Sequence, residues 1–257
     1  ALERNTKIHM HVQQGNRETA QIMMRYNKRP IAWLDEIGYL DDNLIAVHLT
    51  DADEEEAALV AERGASMILC SGSIGIIDGI VPPAKAFYDA GGKIALGSDQ
   101  APGNNCHNIF NEMKLTALFN KIRYENPEIM PAWQVLRMAT IEGAQAIGLG
   151  DKIGSLEVAK QADFSAIDLN KPSMLPIYTD PMRNIVPNLV YSARGDEVSL
   201  VAVDGRVIYR KGKILTIDEE EILSKVNGYA VEIGEKASEE FWRINGTNAQ
   251  FMKEKKL

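Results

Sequence analysis

The 257-residue chain has only two cysteines, Cys70 and Cys106, and no Cys-x-x-Cys motif. Two cysteines do not make a disulfide framework, so we expect a reducing compartment and therefore a cytoplasmic protein. No apolar run approaches the roughly 20 residues of a membrane-spanning helix. Basic residues are outnumbered by acidic ones, and the resulting net charge of −8 disfavours nucleic acid as a partner. Phosphate-binding Gly-rich fingerprints and the Gly-x-Ser-x-Gly elbow are also missing.

Short apolar segments that alternate with helical patterns dominate the first part of the chain. Such an order predicts an α/β fold in which parallel strands are joined by helical crossovers. The mean spacing of about 29 residues between strands is close to the roughly 31 residues per unit of a 250-residue barrel. The predicted buried strands are Ile8–Val12, Leu44–Leu49, Ser66–Cys70 and Ile94–Leu96.

The pattern changes after Gly150. Segments 153–157 and 162–168 are typical of β structure, and Asp204-Gly205 between two apolar runs predicts a hairpin. Before that point, we predict an irregular loop over 71–83 and one helix over 131–149. We therefore divide the chain into three segments: 1–150, 151–217, and the charged, partly helical segment 218–257.

Three polar residues lie on or beside the ends of predicted strands: His11, His48 and Asp99. In a parallel barrel, catalytic groups stand at the carboxyl ends of the strands. Imidazole and carboxylate groups are good zinc ligands, a metal-bound water ionises near neutral pH, and a carboxylate can accept its proton. The alternative is that Asp99 only caps a turn and that the histidines are hydrogen-bonded structural residues.

Two further groups have structural explanations that we favour over chemical ones. The acidic run Glu54–Glu56 suits the first turn of a helix, where the helix dipole favours anions, better than a metal site. Cys70 ends a predicted strand and could be a nucleophile, but a buried structural thiol is the favoured interpretation.

Several motifs, taken in order, resemble the amidohydrolase superfamily, in the branch of methylthioadenosine/S-adenosylhomocysteine deaminases and triazine (atrazine-type) chlorohydrolases. The resemblance covers nearly the whole chain, and its motifs are specific together. They are His11-Val-Gln-Gln14, Ala46-Val-His48, Leu96-Gly-Ser-Asp99, Asn104-Asn105, Phe110-Asn-Glu-Met113, Arg137-Met-Ala-Thr-Ile-Glu-Gly-Ala144, and Gly154-Ser-Leu-Glu157 followed by Ala162-Asp163.

The resemblance implies the C-terminal half of a (β/α)8 TIM-type barrel, with strands that correspond to strands 5 to 8, plus part of a small β-sandwich. Residues 1–150 would be the partial barrel, 151–217 the sandwich portion and 218–257 a helical tail. What the family places before the fifth strand is absent from this sequence. We therefore expect a homo-oligomer or a complementing N-terminal portion as partner.

For the site, the resemblance implies one divalent metal ion, zinc or else iron. His11 would be a metal ligand, Asp99 a metal ligand and general base, and His48 the group that contacts the water or the substrate. The implied reaction is hydrolysis of a non-peptide C–N bond (deamination) or C–Cl bond on a small heteroaromatic substrate. Metal-bound hydroxide would be the nucleophile.

Two departures from the family pattern leave alternatives open. The family's first-strand His-x-His ligands are missing, and Gln14 stands where deaminases have a Glu that carries a proton. A glutamine can bind substrate but cannot transfer that proton, and Glu18 is a possible substitute. One alternative is therefore an incomplete or inactive fragment, or a binding module, without metal. Another is an unrelated α/β scaffold whose histidines are structural.

Overall fold

The computed structural model describes residues 6–256. Residues 1–5 and residue 257, at the outer ends of the predicted segments 1–150 and 218–257, lie outside the described residues. The chain divides into two compact units, Ala1–Arg206 and Val207–Leu257.

The first unit is built on a parallel sheet whose strands lie side by side in the order in which they occur in the chain. The register places His11 beside Val47, and Val47 beside Ile68. Each strand is followed by at least one helix before the next begins, which confirms the predicted α/β fold. The four strands are β1 (Ile8–Val12), β2 (Leu44–His48), β3 (Ser66–Leu69) and β4 (Ile94–Leu96).

Helices connect these strands and follow the last one. The helices up to β4 are α1 (Asn16–Tyr26), α2 (Pro30–Glu36), α3 (Glu54–Glu62), α4 (Ser71–Ile77) and α5 (Ala84–Asp89). Those after β4 are α6 (Ala101–Asn104), α7 (Ile109–Arg123), α8 (Ala132–Met138) and α9 (Ile141–Ala146). The acidic run that opens α3 is a helix start as predicted, because Asp53 and Glu56 form a reciprocal capping box.

The first unit continues with an antiparallel pair in which Phe164 lies opposite Ala202. It comprises β5 (Phe164–Ile167), α10 (Ile185–Tyr191) and β6 (Val198–Val203). The predicted hairpin turn after β6 is confirmed, since Asp204 and Gly205 have φ values of 49° and 74°. Positive φ at both central residues is the signature of a type I′ turn.

The described part of the second unit, residues 207–256, contains two antiparallel strands and two helices. Its long helix exposes several large apolar side chains, including Val226 and Ile233. Its elements are β7 (Arg206–Arg210), which begins at the last residue of the first unit, β8 (Lys213–Ile214), α11 (Glu219–Ile244) and α12 (Thr247–Lys253). Among residues 6–256, no helix combines the length and the apolar character that crossing a membrane requires.

The parallel sheet has two different faces, because successive strand residues point to opposite sides. One face packs into the main hydrophobic core with the helices and includes Leu44, Met67 and Ile94. The other face carries a smaller buried cluster that includes Val47 and Ile68. His9 and His11 lie on this second face, since they alternate with core residues of β1.

Three local predictions were wrong. Residues 71–77 form α4 rather than a loop, because the Gly72 amide donates to the buried Glu112 carboxylate and this tertiary contact offsets poor glycine helix propensity. The predicted helix over 131–149 is divided at Thr140, whose φ of −131° and ψ of −106° are not helical. The segment 153–157 is irregular rather than β, since Gly154 turns at a φ of 91° and packs against Ala144.

Candidate metal site

His11, His48 and Asp99 lie together at the carboxyl ends of β1, β2 and β4. His11 Nδ1 and His48 Nε2 are 3.3 Å apart, and His48 Nε2 is 4.0 Å from Asp99 Oδ2. One ligand atom from each of the three residues can be chosen so that all lie within 4.8 Å of one another. Sequence positions 11, 48 and 99 therefore converge on a single point of the fold.

The backbone is left-handed at two of these residues, with φ of 76° at His48 and 59° at Asp99. By strict strand alternation, His48 would face away from His11, whose register partner is Val47. The left-handed residue ends this alternation, and the two imidazole rings meet edge to face with centroids 4.5 Å apart. Such backbone is uncommon outside glycine and concentrates at functional sites.

His48 is completely buried and neutral at physiological pH. Burial, assisted by His11, lowers its pKa to about 4, although the Asp99 carboxylate acts in the opposite direction. A neutral imidazole has one N–H donor and one acceptor nitrogen. Its Nδ1 atom is buried without a hydrogen-bond partner among the described residues.

Asp99 is held as an ionised carboxylate. Burial raises its pKa, but hydrogen bonds from Ser73 Oγ and the Gln100 backbone amide, together with the two histidines, lower it below the usual value. Ser73 comes from α4, so the helix that replaces the expected loop supplies a direct contact to this carboxylate. The position of Asp99 thus depends on both the β3 and the β4 connections.

The donor set fits a divalent metal ion. It joins two imidazoles with an ionised carboxylate, and the neutral state of the buried His48 leaves a nitrogen lone pair available. His9 shares the face of His11 but borders a separate, largely apolar cavity of about 850 Å³ that Ala95, Phe110 and Val201 also line. The His-x-His pair of β1 is therefore divided between two locations.

A buried network joins α4, which follows β3, to α6 and α7, which follow β4. The Glu112 carboxylate is completely buried and accepts hydrogen bonds from the Gly72 amide (2.9 Å) and Asn104 Nδ2 (2.8 Å). Asn104 Nδ2 also donates to the Ser98 carbonyl at 2.6 Å, one residue before Asp99. A Cβ at position 72 would lie 2.5 Å from Asn104 Oδ1, so this approach requires glycine.

A second network fixes the segment after β1 and was not found from the sequence. Gln13 is completely buried, and its Nε2 donates to the Asp51 carbonyl at 3.0 Å and to Glu56 Oε2 at 2.7 Å. Arg29 pairs with the same Glu56 carboxylate at 2.6 Å. The family motif points to Gln14. The sequence pattern around residues 13 and 14 does not show which of the two glutamines is buried.

Gln14 lies next to this network, near another carboxylate, Asp78. The interaction with Gln14 lowers the pKa of Asp78, but burial is the larger effect and raises it, assisted by the Asp99 charge. Asp78 Oδ2 is buried without a hydrogen-bond partner among residues 6–256. Glu18, the possible substitute for a family glutamate, instead accepts from the backbone amides of Gln13 and Gln14 at 2.9 and 3.1 Å.

Cys70 is a buried thiol at the end of β3. Burial, followed by the negative charges of Asp99 and Glu112, raises its pKa to about 12. A thiol in this state is a poor nucleophile at neutral pH. These properties favour the structural interpretation of Cys70.

Relatives and solved structures match most of this chain. The chain is 35% identical over 227 residues to the 5-methylthioadenosine/S-adenosylhomocysteine deaminase of Syntrophobacter fumaroxidans. The matched region covers 88% of this chain and 50% of that protein. An adenosine deaminase of Xanthomonas campestris, solved with bound zinc, superposes with a TM-score of 0.86 at 31% identity, covering 91% of this chain and 52% of that one.

A more distant structure shares the fold. The atrazine chlorohydrolase of Arthrobacter aurescens TC1, complexed with zinc, superposes with a TM-score of 0.80 at 22% identity, over 89% of this chain and 49% of that one. The chain therefore spans about half the length of the proteins it matches. The profile of the amidohydrolase family matches residues 1–208, and the chain belongs to this family.

Proposed function

We propose that this chain provides part of the active site of a metal-dependent hydrolase that removes an amino group from a heteroaromatic ring. The observation that carries the proposal is the convergence of His11, His48 and Asp99 at the strand ends of an amidohydrolase fold. The two relatives named above, at 35% and 31% identity, are deaminases, whereas the chlorohydrolase likeness is at 22% and supports the fold alone. Deamination of an aminated purine or related ring is therefore preferred over removal of chloride.

The site residues have distinct roles in this proposal. His11 and Asp99 would hold one divalent metal ion, zinc or else iron, which when bound makes water acidic enough to attack near neutral pH. Asp99, kept ionised by its hydrogen bonds, accepts a proton from the attacking water. The neutral His48 orients that water and uses its ring N–H to stabilise negative charge that develops on the substrate. Gln14 binds the substrate through its amide.

We further propose that these four strands are half of a (β/α)8 barrel, strands 5 to 8, and that the site is completed from outside this chain. Zinc sites commonly use three or four protein ligands, and this chain offers His11 and Asp99, with His48 as a nearby third donor. Matched proteins are about twice as long. The completing part would come from an N-terminal portion or from an assembly of copies.

The test is metal analysis and turnover on protein expressed from its natural reading frame. We expect about one metal ion per site and release of ammonia from an aminated purine, pyrimidine or triazine. The Asp99→Ala variant should lose both properties. The matched control is Asp89→Ala, which removes an exposed carboxylate at the end of α5. Metal-loaded protein in which Asp99→Ala leaves turnover unchanged would contradict the assignment.

The second candidate is a binding module without catalysis. It is supported by Gln14, which cannot transfer a proton, and by Glu18, whose carboxylate is engaged by two backbone amides. This candidate predicts binding of a heteroaromatic ligand without metal and without ammonia release. Metal content in the intact protein separates the two functions.

A further inference from the structure

A proton donor is required by the deamination proposed above, and this inference rests on that proposal. Asp99 accepts a proton from water, but the substrate nitrogen must also receive one before ammonia can leave. Gln14 cannot supply it, and Glu18 is engaged by the backbone amides of residues 13 and 14. The site therefore needs another acid close to Gln14.

Asp78 is the candidate for that acid because of its position in the chain and its neighbour Gln14. It follows α4, the helix whose Ser73 contacts Asp99, and it lies beside the Gln14 side chain. Its Oδ2 atom is buried and has no hydrogen-bond partner among the described residues. A buried carboxyl oxygen without a partner favours the protonated form, which can donate a hydrogen bond.

We propose that Asp78 donates a proton to the substrate nitrogen, with Gln14 positioning both the carboxyl group and the substrate. In this step, the Asp78 O–H bond breaks and an N–H bond forms, while the oxygen of water bonds to the ring carbon. The ring C–N bond then breaks and ammonia leaves. The proton that Asp99 takes from water balances the one that Asp78 gives, and exchange with solvent restores both groups.

The surroundings of Asp78 keep it suited to this role. Burial is the largest effect on the pKa of Asp78 and raises it, while Gln14 acts in the opposite direction. The Asp99 charge also raises it in the metal-free chain, and a cation bound by Asp99 would offset that smaller contribution. No lysine or arginine among residues 6–256 is among the groups that shift it. A carboxyl with a raised pKa retains its proton closer to neutral pH.

Other acids near the site are less suitable. Glu112 is completely buried, and its two oxygens accept hydrogen bonds from Gly72 in α4 and Asn104 in α6. The Cys70 thiol has a pKa of about 12 and is a weak acid. His48 is neutral, with its pKa lowered to about 4, and carries no additional proton to give.

The first test is the Asp78→Asn variant, made in protein expressed from its natural reading frame. Loss of general acid catalysis should lower kcat about 100-fold, with KM changed less than threefold. Metal content and melting temperature should stay at the wild-type values, because Asp78 is not a predicted ligand. The control is Asp89→Asn on α5, which should leave all four quantities unchanged.

The second test is rescue by a new acid at the neighbouring position. Adding Gln14→Glu to Asp78→Asn should recover at least tenfold of the lost kcat, since it returns a carboxyl group to the residue beside position 78. In wild type, kcat should fall as rising pH deprotonates Asp78, and this limb should disappear in Asp78→Asn. If the role of Asp78 were purely structural, the fall of kcat at high pH would remain in Asp78→Asn, whereas Gln14→Glu could restore activity in either case because related deaminases have a Glu at that position.

The outcomes separate this proposal from the one on which it rests. If metal-loaded wild type releases no ammonia from any aminated heterocycle, both proposals are overturned. If wild type is active and Asp78→Asn retains kcat within twofold, only the Asp78 assignment is overturned. Loss of metal or of folded protein in Asp78→Asn, without rescue by Gln14→Glu, also overturns it.

Discussion

The two faces of the parallel sheet differ in what they contribute. One packs against helices in the main core, where Leu44, Met67 and Ile94 are fully buried. The other carries a small apolar cluster and the exposed His11, which joins His48 and Asp99 at the strand ends. Stability is therefore concentrated on one face and chemistry at the edge of the other, so substitutions should separate the two properties.

The largest expected effect compares His11 with His9, which share a face of β1 two residues apart. His11→Ala should weaken zinc binding by more than 100-fold, because even changes behind a ligand cost about 10–100-fold. His9→Ala should change zinc affinity less than threefold, since His9 borders the apolar cavity instead. Competition against a chelating dye measures both, and equal losses in the two variants would refute the division of this pair.

The next effect tests the face of the parallel sheet that packs into the main hydrophobic core with the helices. Phe87 is completely buried on α5, so Phe87→Ala should lower the free energy of unfolding by about 3–5 kcal/mol. Zinc affinity of the protein that remains folded should not change. Denaturant unfolding gives the first quantity, with Ile122→Ala as control because Ile122 is 72% exposed. A small change at position 87 would mean that this core is loosely packed.

Glu112 contributes to both stability and zinc binding, and its substitution should reduce each moderately. In Glu112→Gln, the new NH2 group must face either the Gly72 amide or the Asn104 amide, so donor meets donor. We expect a loss of about 1–3 kcal/mol of stability and zinc affinity about 10-fold weaker, because the Ser98–Asp99 backbone shifts. Glu142→Gln, which alters a buried carboxylate paired with Arg137, should reduce stability without affecting zinc.

The smallest effect concerns Glu197, a buried carboxylate before β6. Burial raises its pKa, but hydrogen bonds from Ser173 and the backbone amides of Arg194 and Gly195 outweigh it, and the net pKa is lowered. A lowered pKa in the folded state stabilises the protein above the unfolded value, about 4.3, and this contribution disappears as pH falls through the folded value. Glu197→Gln should therefore lose about 1 kcal/mol at pH 7 and show a weaker decline between pH 5 and pH 3. An unchanged pH dependence would contradict this.

The sequence predicted the four strands and the three residues that converge at their ends, because both depend on local apolar runs and on the common direction of parallel strands. It missed α4, since Gly72 and Gly75 disfavour a helix and the compensating bond comes from Glu112, 40 residues away in the chain. Asp78 was missed for the same reason. Its burial and its contact with Gln14 arise from packing between separate segments, which no spacing encodes.

The left-handed backbone at His48 and Asp99 has a consequence for anyone who redesigns this centre. Aspartate, asparagine and histidine tolerate that conformation better than other residues with a side chain, and β-branched or bulky residues tolerate it poorly. The set of alternative donors that can be installed at either position is therefore short. Exchanging histidine, aspartate and asparagine at these two positions should preserve the backbone conformation. Any other donor residue would require the backbone after β2 and β4 to change first.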